Sequence, residues 1–443
     1  MNIKIKPTNI FFVIYIKRNY TKTIVNFEIF LKNYSQILII GAGPAGTTAS
    51  MFLTKQKIYH TLIDKAVFPR DKICGDALSG KVFSVLKKLE NGIQNKIYSD
   101  ENYLGSFGVK FFSPSGLSVD VPFTNDIKSL SVAPGFIATR KHFDNFLLEN
   151  SVGEYANVIQ ECEAKQITKQ PDGKFKISCI NNGQTIEFVP EIVLAADGDR
   201  SIFAKQFGGK MVEENHYCAG LRVYYKNVSG FNNNNFIELH FIKKVLPGYF
   251  WVFPMSNGKA NVGIGLLKKY ASKNKINLRK ELEDIIQNHP EISKRFSGAE
   301  PLETPKGWGL PLGSKRRKIS GERFMLLGDA GSLIDPFTGE GIANAMICGM
   351  HAANVIELAL EKKEYSSHFL SEYDKRVYNR LGKEFSISTT LQKLSRFPWL
   401  FNFVVKKAIK NKTFRETLTA MFNDLDLRSS FKDPKFYWRI LKN

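Results

Sequence analysis

The chain has few of the residues from which metal, disulfide and covalent-nucleophile chemistry is built. Its five cysteines in 443 residues (Cys74, Cys162, Cys179, Cys218 and Cys348) form no Cys-x-x-Cys pair. That excludes a disulfide framework and a structural zinc site, and it fits a reducing cytoplasm. The seven histidines lack metal-ligand spacing, and neither His-Glu-x-x-His nor Gly-x-Ser-x-Gly occurs, so no metal centre and no hydrolase nucleophile is expected. The apolar run Ile10 to Ile16, behind Lys4 and Lys6, is too short to span a bilayer, and no small-residue cleavage site follows it. Residues 1–34 are read as an extension outside the fold. Acidic residues are scarce, 42 against 63 basic ones, for a net charge of +21. Such an excess favours an anionic partner such as a membrane surface or a diphosphate, or else a lysine-rich solvated surface. Nucleic acid is the least favoured partner, because no zinc-finger spacing, recognition-helix pattern or aromatic ribonucleoprotein motif accompanies the lysines. The run Lys315-Arg-Arg-Lys318 reads as a solvated loop.

What the chain does have is glycine at strand ends. Gly41-Ala-Gly43-Pro-Ala45-Gly46 follows the apolar run Ile37 to Ile40 and opens a helix expected to run from about Pro44 to Lys55. In such a turn the first glycine permits the reversal, the second lets backbone approach a pyrophosphate, and the third lets helix pack on strand. The helix N-terminus adds free N–H groups and a positive dipole end. Asp64 closes the next strand, and a carboxylate at that offset suits ribose hydroxyls. Two further signatures follow, Ala196-Asp197-Gly198 and, after Phe324 to Leu327, Gly328-Asp329. A carboxylate at a strand's carboxyl end suits a polyol such as the ribityl chain. The segment Asp335 to Gly341 is expected to open a helix reaching about Ala359, whose N-terminal amides would face the pyrimidine edge of a flavin. Three such segments, in this order, predict FAD as cofactor.

Length allows two or three units. The expected fold is α/β: a discontinuous Rossmann-like FAD-binding domain (35–105, 136–210 and 319–360), an inserted antiparallel β-sheet substrate domain (hairpin 106–135 and sheet 211–318), and a helical C-terminal region (361–443). Phe107 to Phe123 alternates around Pro114-Ser-Gly116 as a hairpin, and Ile177 to Phe188 forms another around Asn181-Asn-Gly183. Tyr249, Trp251 and Phe253 alternate along one strand and therefore share a face. Alone that is an ordinary aromatic sheet core; beside a flavin it becomes one wall of an elongated apolar pocket.

With Phe68-Pro-Arg70-Asp-Lys72-Ile-Cys74-Gly75 and Pro247-Gly-Tyr249-Phe-Trp251-Val-Phe253-Pro254, followed by Gly263-Ile-Gly265, the sequence resembles the geranylgeranyl reductase family, within the para-hydroxybenzoate hydroxylase fold group. The resemblance runs from Gln36 to about Ala353. It implies that Gly41, Gly43, Ala45 and Gly46 hold the pyrophosphate, Asp64 and Lys65 the adenosine side, and Arg70 and Arg140 other polar parts of FAD. Asp197 and Gly198 match the family's Asp-Gly motif. Gly328 and Asp329 would take the ribityl chain, Gly339, Gly341 and Ile342 the ring edge, and Cys74 and Gly75 would lie near the ring. Tyr249, Trp251, Phe253, Pro254, Gly263 and Gly265 would form the substrate pocket. Asp76 departs from the family, many members of which carry a small residue there.

The resemblance implies a reductase that adds a hydride from reduced flavin and a proton across a double bond of a geranylgeranyl or other polyprenyl group. Cys74 is the candidate catalytic residue. The alternatives within the same fold are an FAD-dependent monooxygenase (hydroxylase or epoxidase) and a halogenase-like enzyme. NAD(P)H or a small electron carrier is the expected donor, since Gly263-Ile-Gly265 and Gly307-Trp-Gly309 lack the helix and acid of a second dinucleotide site. Nothing in the sequence fixes the oligomeric state. Phe397 to Val405, running into Lys406, Lys407, Lys410 and Lys412, is read either as a core helix or as a peripheral contact with an anionic membrane surface from the cytoplasmic side.

Overall fold

The structure, a computed structural model, describes residues 36–416 apart from 125, 126, 128, 129, 210, 211 and 413. The expected extension over residues 1–34 lies outside them.

The apolar runs that end in glycine signatures become the centre of one sheet. Its strand order is Ser320–Gly321, Phe324–Leu326, Ile192–Ala195, Ile37–Ile40, His60–Ile63, Ala156–Ile159. Every pairing is parallel except the first. A parallel sheet is covered on both faces, so its strands can be continuously apolar. Ile37, Leu38 and Ile39 are fully buried, as are Ile192 to Ala195. The three signatures therefore emerge side by side at the carboxyl ends of neighbouring strands, where open α/β sheets place their ligands.

Two helices cross behind that edge. Pro44–Lys55 carries Pro44 in its first turn, where a missing N–H costs nothing. Ile342–Lys362 is apolar over 21 residues, long enough to cross a membrane, yet 78% of its most apolar window is buried inside the protein. It is a core helix, and a Cβ on Gly349 would come within 2.3 Å of the Ala45 carbonyl. This helix starts at Ile342 and not at Asp335. The preceding segment is a turn built on the buried Asp335 carboxylate, which accepts hydrogen bonds from the Phe337 and Thr338 N–H groups and from Ser388.

The second large sheet runs Glu300–Pro301, Tyr217–Lys226, Lys259–Leu267, Tyr249–Met255, Ile237–His240, Gly108–Phe112, Ser118–Pro122, with Lys306–Pro311 also paired to Tyr217–Lys226. All pairings are antiparallel except that of Ile237–His240 with Gly108–Phe112. That one parallel contact places the early hairpin at the edge of the later sheet. One face, with Phe250 and Val252, packs on Leu282, Ile285 and Ile292. The other face, with Tyr249, Trp251 and Phe253, looks toward the glycine signatures. Cys162–Lys169, Phe175–Asn181 and Gln184–Phe188 form a smaller antiparallel sheet, with the expected hairpin at Asn182 and Gly183. From Ile342 onward the described chain is helical: Ile342–Lys362, Ser367–Leu394 and Pro398–Lys410. The fold class is that expected from the sequence.

Candidate active site

Between the two sheets lies a cavity of about 900 Å³, within the usual range of roughly 300–1,000 Å³ for a ligand pocket. It is lined at one end by the first glycine turn and at the other by the aromatic strand. Two helices, Pro44–Lys55 and Ile342–Lys362, begin at this cavity, so two positive dipole ends face it.

The three glycines of the first turn do different work. Gly41 has a φ of +102°, and a Cβ there would meet the Ala196 carbonyl oxygen at 2.4 Å, so the second signature presses on the first. Gly46 does not line the cavity; its missing Cβ would sit 1.9 Å from the Gly41 oxygen, which makes it the helix-packing glycine. At Gly43 a Cβ would meet no protein atom nearer than the Arg70 Nη2 at 3.9 Å. The space beside Gly43 is thus open on the cavity side, at the first turn of a helix, where N–H groups have no intrahelical partner. A pyrophosphate fits this cradle. Asp64 accepts the Ala42 N–H at 2.7 Å with one oxygen and the Ala66 N–H at 2.8 Å with the other, which fixes the carboxylate at the rim and leaves each oxygen a lone pair for a ribose hydroxyl.

Arg70 and Arg140 are both held by a residue that the sequence reading missed. Asp144, fully buried, accepts from Arg140 Nε at 2.6 Å and Nη2 at 2.8 Å, and from Arg70 Nη1 at 2.7 Å. The Arg-x-x-x-Asp spacing at the start of helix Arg140–Glu149 was the available signal. Arg140 also lies close to the Cys74 side chain. Asp329 is half-buried at the cavity wall, and loss of solvent raises its carboxyl above the ordinary range. A carboxyl so placed seeks hydroxyl partners, as a ribityl chain provides. Asp197 accepts the first N–H of helix Ile202–Phe207, that of Ile202, at 3.0 Å, beside the Ser201 cap, while Gly198 lines the cavity with a φ of +80°. Lys65, Cys74, Gly75, Gly328, Gly339, Gly341, Ile342 and Ala45 line it as well.

The aromatic strand behaves as its alternation requires. Tyr249, Trp251 and Phe253 line the cavity; Pro254, the next residue, does not. Gly263 and Gly265, expected in the pocket lining, instead form a floor for the indole: a Cβ on Gly263 would lie 2.1 Å from the Trp251 Cζ2, and one on Gly265 3.8 Å from its Cζ3. Only hydrogen at Gly263 lets the ring lie flat against the neighbouring strand, whereas at Gly265 a Cβ would make an ordinary contact. Tyr249 Oη donates to the Thr338 carbonyl at 2.6 Å, tying the sheet to the turn before Ile342. Leu78, Phe123, Phe136, Ile237 and Leu239 extend the apolar wall beyond the motif. They come from four separate segments, Ile237 and Leu239 sharing one strand, and no local spacing announces them.

A buried polar chain joins the two walls. Trp251 Nε1 donates to Asn261 Oδ1 at 2.8 Å, and Asn261 Nδ2 donates to the Cys74 carbonyl at 2.8 Å and to Asp76 Oδ2 at 2.9 Å. Tyr224 Oη donates to the same Asp76 oxygen at 2.6 Å. Asp76 has a φ of +66°, a conformation that favours small residues. Burial pushes its carboxyl up to about 6, against the pull of these donors and of Arg222. Nearby, Lys72 rests over the Trp308 ring at 3.2 Å, and burial lowers its ammonium to about 8.

Comparison with known proteins agrees with this geometry. Residues 34–379 match the FAD binding domain family. A digeranylgeranylglycerophospholipid reductase of Thermoplasma volcanium is 30% identical over 358 residues, 79% of this chain and 84% of the relative. A menaquinone reductase of Mycolicibacterium smegmatis is 25% identical, across 88% of this chain and 92% of its own. The crystal structure of a geranylgeranyl bacteriochlorophyll reductase-like protein of Thermoplasma acidophilum superposes with a TM-score of 0.74 at 26% identity, covering 84% of this chain and 91% of the other. With an open glycine turn, a cavity-wall carboxylate and an aromatic wall on one cavity, and with these relatives, the chain belongs to the geranylgeranyl reductase family of FAD-binding oxidoreductases.

Proposed function

We propose that this protein reduces carbon–carbon double bonds in a geranylgeranyl or other polyprenyl group. The observation that carries the reading is one continuous cavity, with the open glycine turn at Gly43 beside Arg70 at one end and the Trp251, Phe253 and Leu239 wall at the other. Bound FAD, once reduced, supplies a hydride to one alkene carbon. The remaining work falls to the chain. Gly41, Gly43, Arg70, Asp64 and Asp329 would hold the cofactor; Cys74 and Gly75 would lie against its ring. Tyr249, Trp251 and Phe253 orient an apolar chain and exclude water. The second alkene carbon needs a proton, and Cys74, close to Arg140, and Asp76, in contact with Tyr224, are two of the cavity groups able to hold one.

The electrons come from NAD(P)H or a small carrier that visits transiently. Supporting this, Gly263-Ile-Gly265 and Gly307-Trp-Gly309 lie within strands and not at strand-to-helix turns. A polyprenyl substrate resides in or beside a membrane, so a cytoplasmic enzyme would meet it at the inner face. Mass spectrometry of lipids and quinones from a strain lacking the protein tests the reading. The expected result is a prenyl chain that keeps double bonds saturated in the parent strain; missing hydroxyl, epoxide or halogen groups instead would place the enzyme among the oxygen-using members of the fold.

A further inference from the structure

Helix Pro398–Lys410 has two dissimilar faces. Phe401, Val405 and Ala408 are buried in the cluster that includes Phe111, Phe241 and Phe337 and continues to the cavity residues Leu239, Trp251 and Phe253. The opposite face carries Trp399, Phe403, Lys406 and Lys410 at i, i+4, i+7 and i+11, one line along a helix of 3.6 residues per turn. Trp399 is 70% exposed, and Phe403 and Phe397 are each 53% exposed. Of the four exposed large aromatic residues among the described ones, Tyr59, Phe397, Trp399 and Phe403, three are gathered on this one short segment. Lys406, Lys407 and Lys410 follow them on the same helix. Beside it, the turn Ser113 to Leu117 is fastened by a hydrogen bond from the Ser115 N–H to Asn402 Oδ1 at 3.1 Å, and Leu117 is also exposed.

We propose that this face docks on an anionic lipid bilayer, with Phe397, Trp399 and Phe403 seated among the acyl chains near the headgroups and the lysines against the headgroup phosphates. The charge is complementary, and the protein's net charge of +21 adds long-range attraction. Aromatic rings next to lysines suit the boundary between hydrocarbon and headgroup. Because the inner face of the same helix packs on the cluster that walls the cavity, docking brings the apolar end of that cavity to the membrane. This deepens the polyprenyl reductase reading and rests on it for the nature of the cargo.

The test is flotation of the FAD-loaded protein with vesicles of phosphatidylcholine, with and without phosphatidylglycerol. The native protein is expected to float with the anionic vesicles at low salt and to be released by high salt. Replacing Lys406, Lys407, Lys410 and Lys412 with Gln should weaken binding by roughly a hundredfold or more, given the strength of attraction per basic residue near such a surface. Trp399→Ser with Phe403→Ser should abolish flotation while flavin content and the melting temperature stay native. Native protein that stays soluble with anionic vesicles at low salt, or variants that float as well as the native protein, would overturn the proposal. So would conversion of an oligomer to a monomer by the aromatic substitutions, which would make this face a contact between copies. All variants should still reduce a detergent-dispersed prenyl substrate; failure of the native protein to do so, with vesicle binding intact, would count against the reductase reading alone.

Discussion

Gly43 and Gly46 stand three residues apart in one motif, yet their substitution should have opposite consequences. A Cβ at Gly43 meets only the end of the Arg70 side chain, at 3.9 Å, and its φ of −75° and ψ of −176° are open to any residue. Gly43→Val should therefore cost the apoprotein at most about 1 kcal/mol, the scale of a helix N-cap change. Its two methyl groups would occupy the approach to the first-turn amides. Losing two hydrogen bonds to a charged phosphate, at roughly 1.5 kcal/mol each, removes about 3 kcal/mol, or roughly a hundredfold in FAD affinity. Gly46→Ala should instead strike the Gly41 carbonyl at 1.9 Å. Far more is lost there than the roughly 1 kcal/mol that alanine contributes to an unstrained helix. The assay is thermal unfolding of both apoproteins together with fluorescence titration by FAD. Native FAD affinity in Gly43→Val, or native stability in Gly46→Ala, would refute the assignment of one glycine to the ligand and the other to the helix.

Trp251→Ala should raise the KM for long prenyl chains tenfold or more with FAD affinity within about twofold of native, since the buried ring lies on the substrate wall; flavin titration and steady-state kinetics separate the two. Lys81→Met leaves Glu340 and Glu384 facing each other without the ammonium that now stands 3.4 and 2.6 Å from them, and a loss of about 3–5 kcal/mol is expected in denaturant unfolding. Asp76 binds its proton more tightly folded, up to about 6, than its ordinary value of 3.8. The native state therefore holds the extra proton between these values, and stability should fall as pH rises through 4 to 6. The drop should be on the order of 3 kcal/mol in the apoprotein and absent in Asp76→Asn; parallel pH profiles in the two proteins would contradict it.

The sequence made the sheet centre legible because its strands end in residues whose chemistry is local. Gly41, Asp64, Asp197 and Asp329 each follow a buried run, and parallel pairing alone brings them together. The aromatic wall was legible for the same reason, since alternation is a property of one strand. What escaped reading depends on contacts between segments. Asp144 acts through Arg70, 74 residues away. Asn261 acts through Trp251 and Cys74 on other elements, and Leu78, Phe123, Phe136, Ile237 and Leu239 converge only in the folded chain. The Gly-Ile-Gly pattern was noticed, but neither glycine lines the cavity: Gly263 leaves room for the Trp251 indole, and Gly265 lies beside the ring at ordinary contact distance. Pro254 was assigned to the pocket with its motif, although period two puts it on the other face.

The central claim is that the cavity directs hydride to a prenyl alkene and not reducing power to oxygen. The most direct measurement is a single turnover under strict anaerobiosis, mixing fully reduced holoenzyme with a geranylgeranyl lipid and following flavin absorbance and product mass together. Flavin reoxidation is expected in step with the gain of one hydrogen pair per double bond. Flavin that stays reduced until oxygen is admitted, with a hydroxylated or epoxidised product appearing only then, would contradict it.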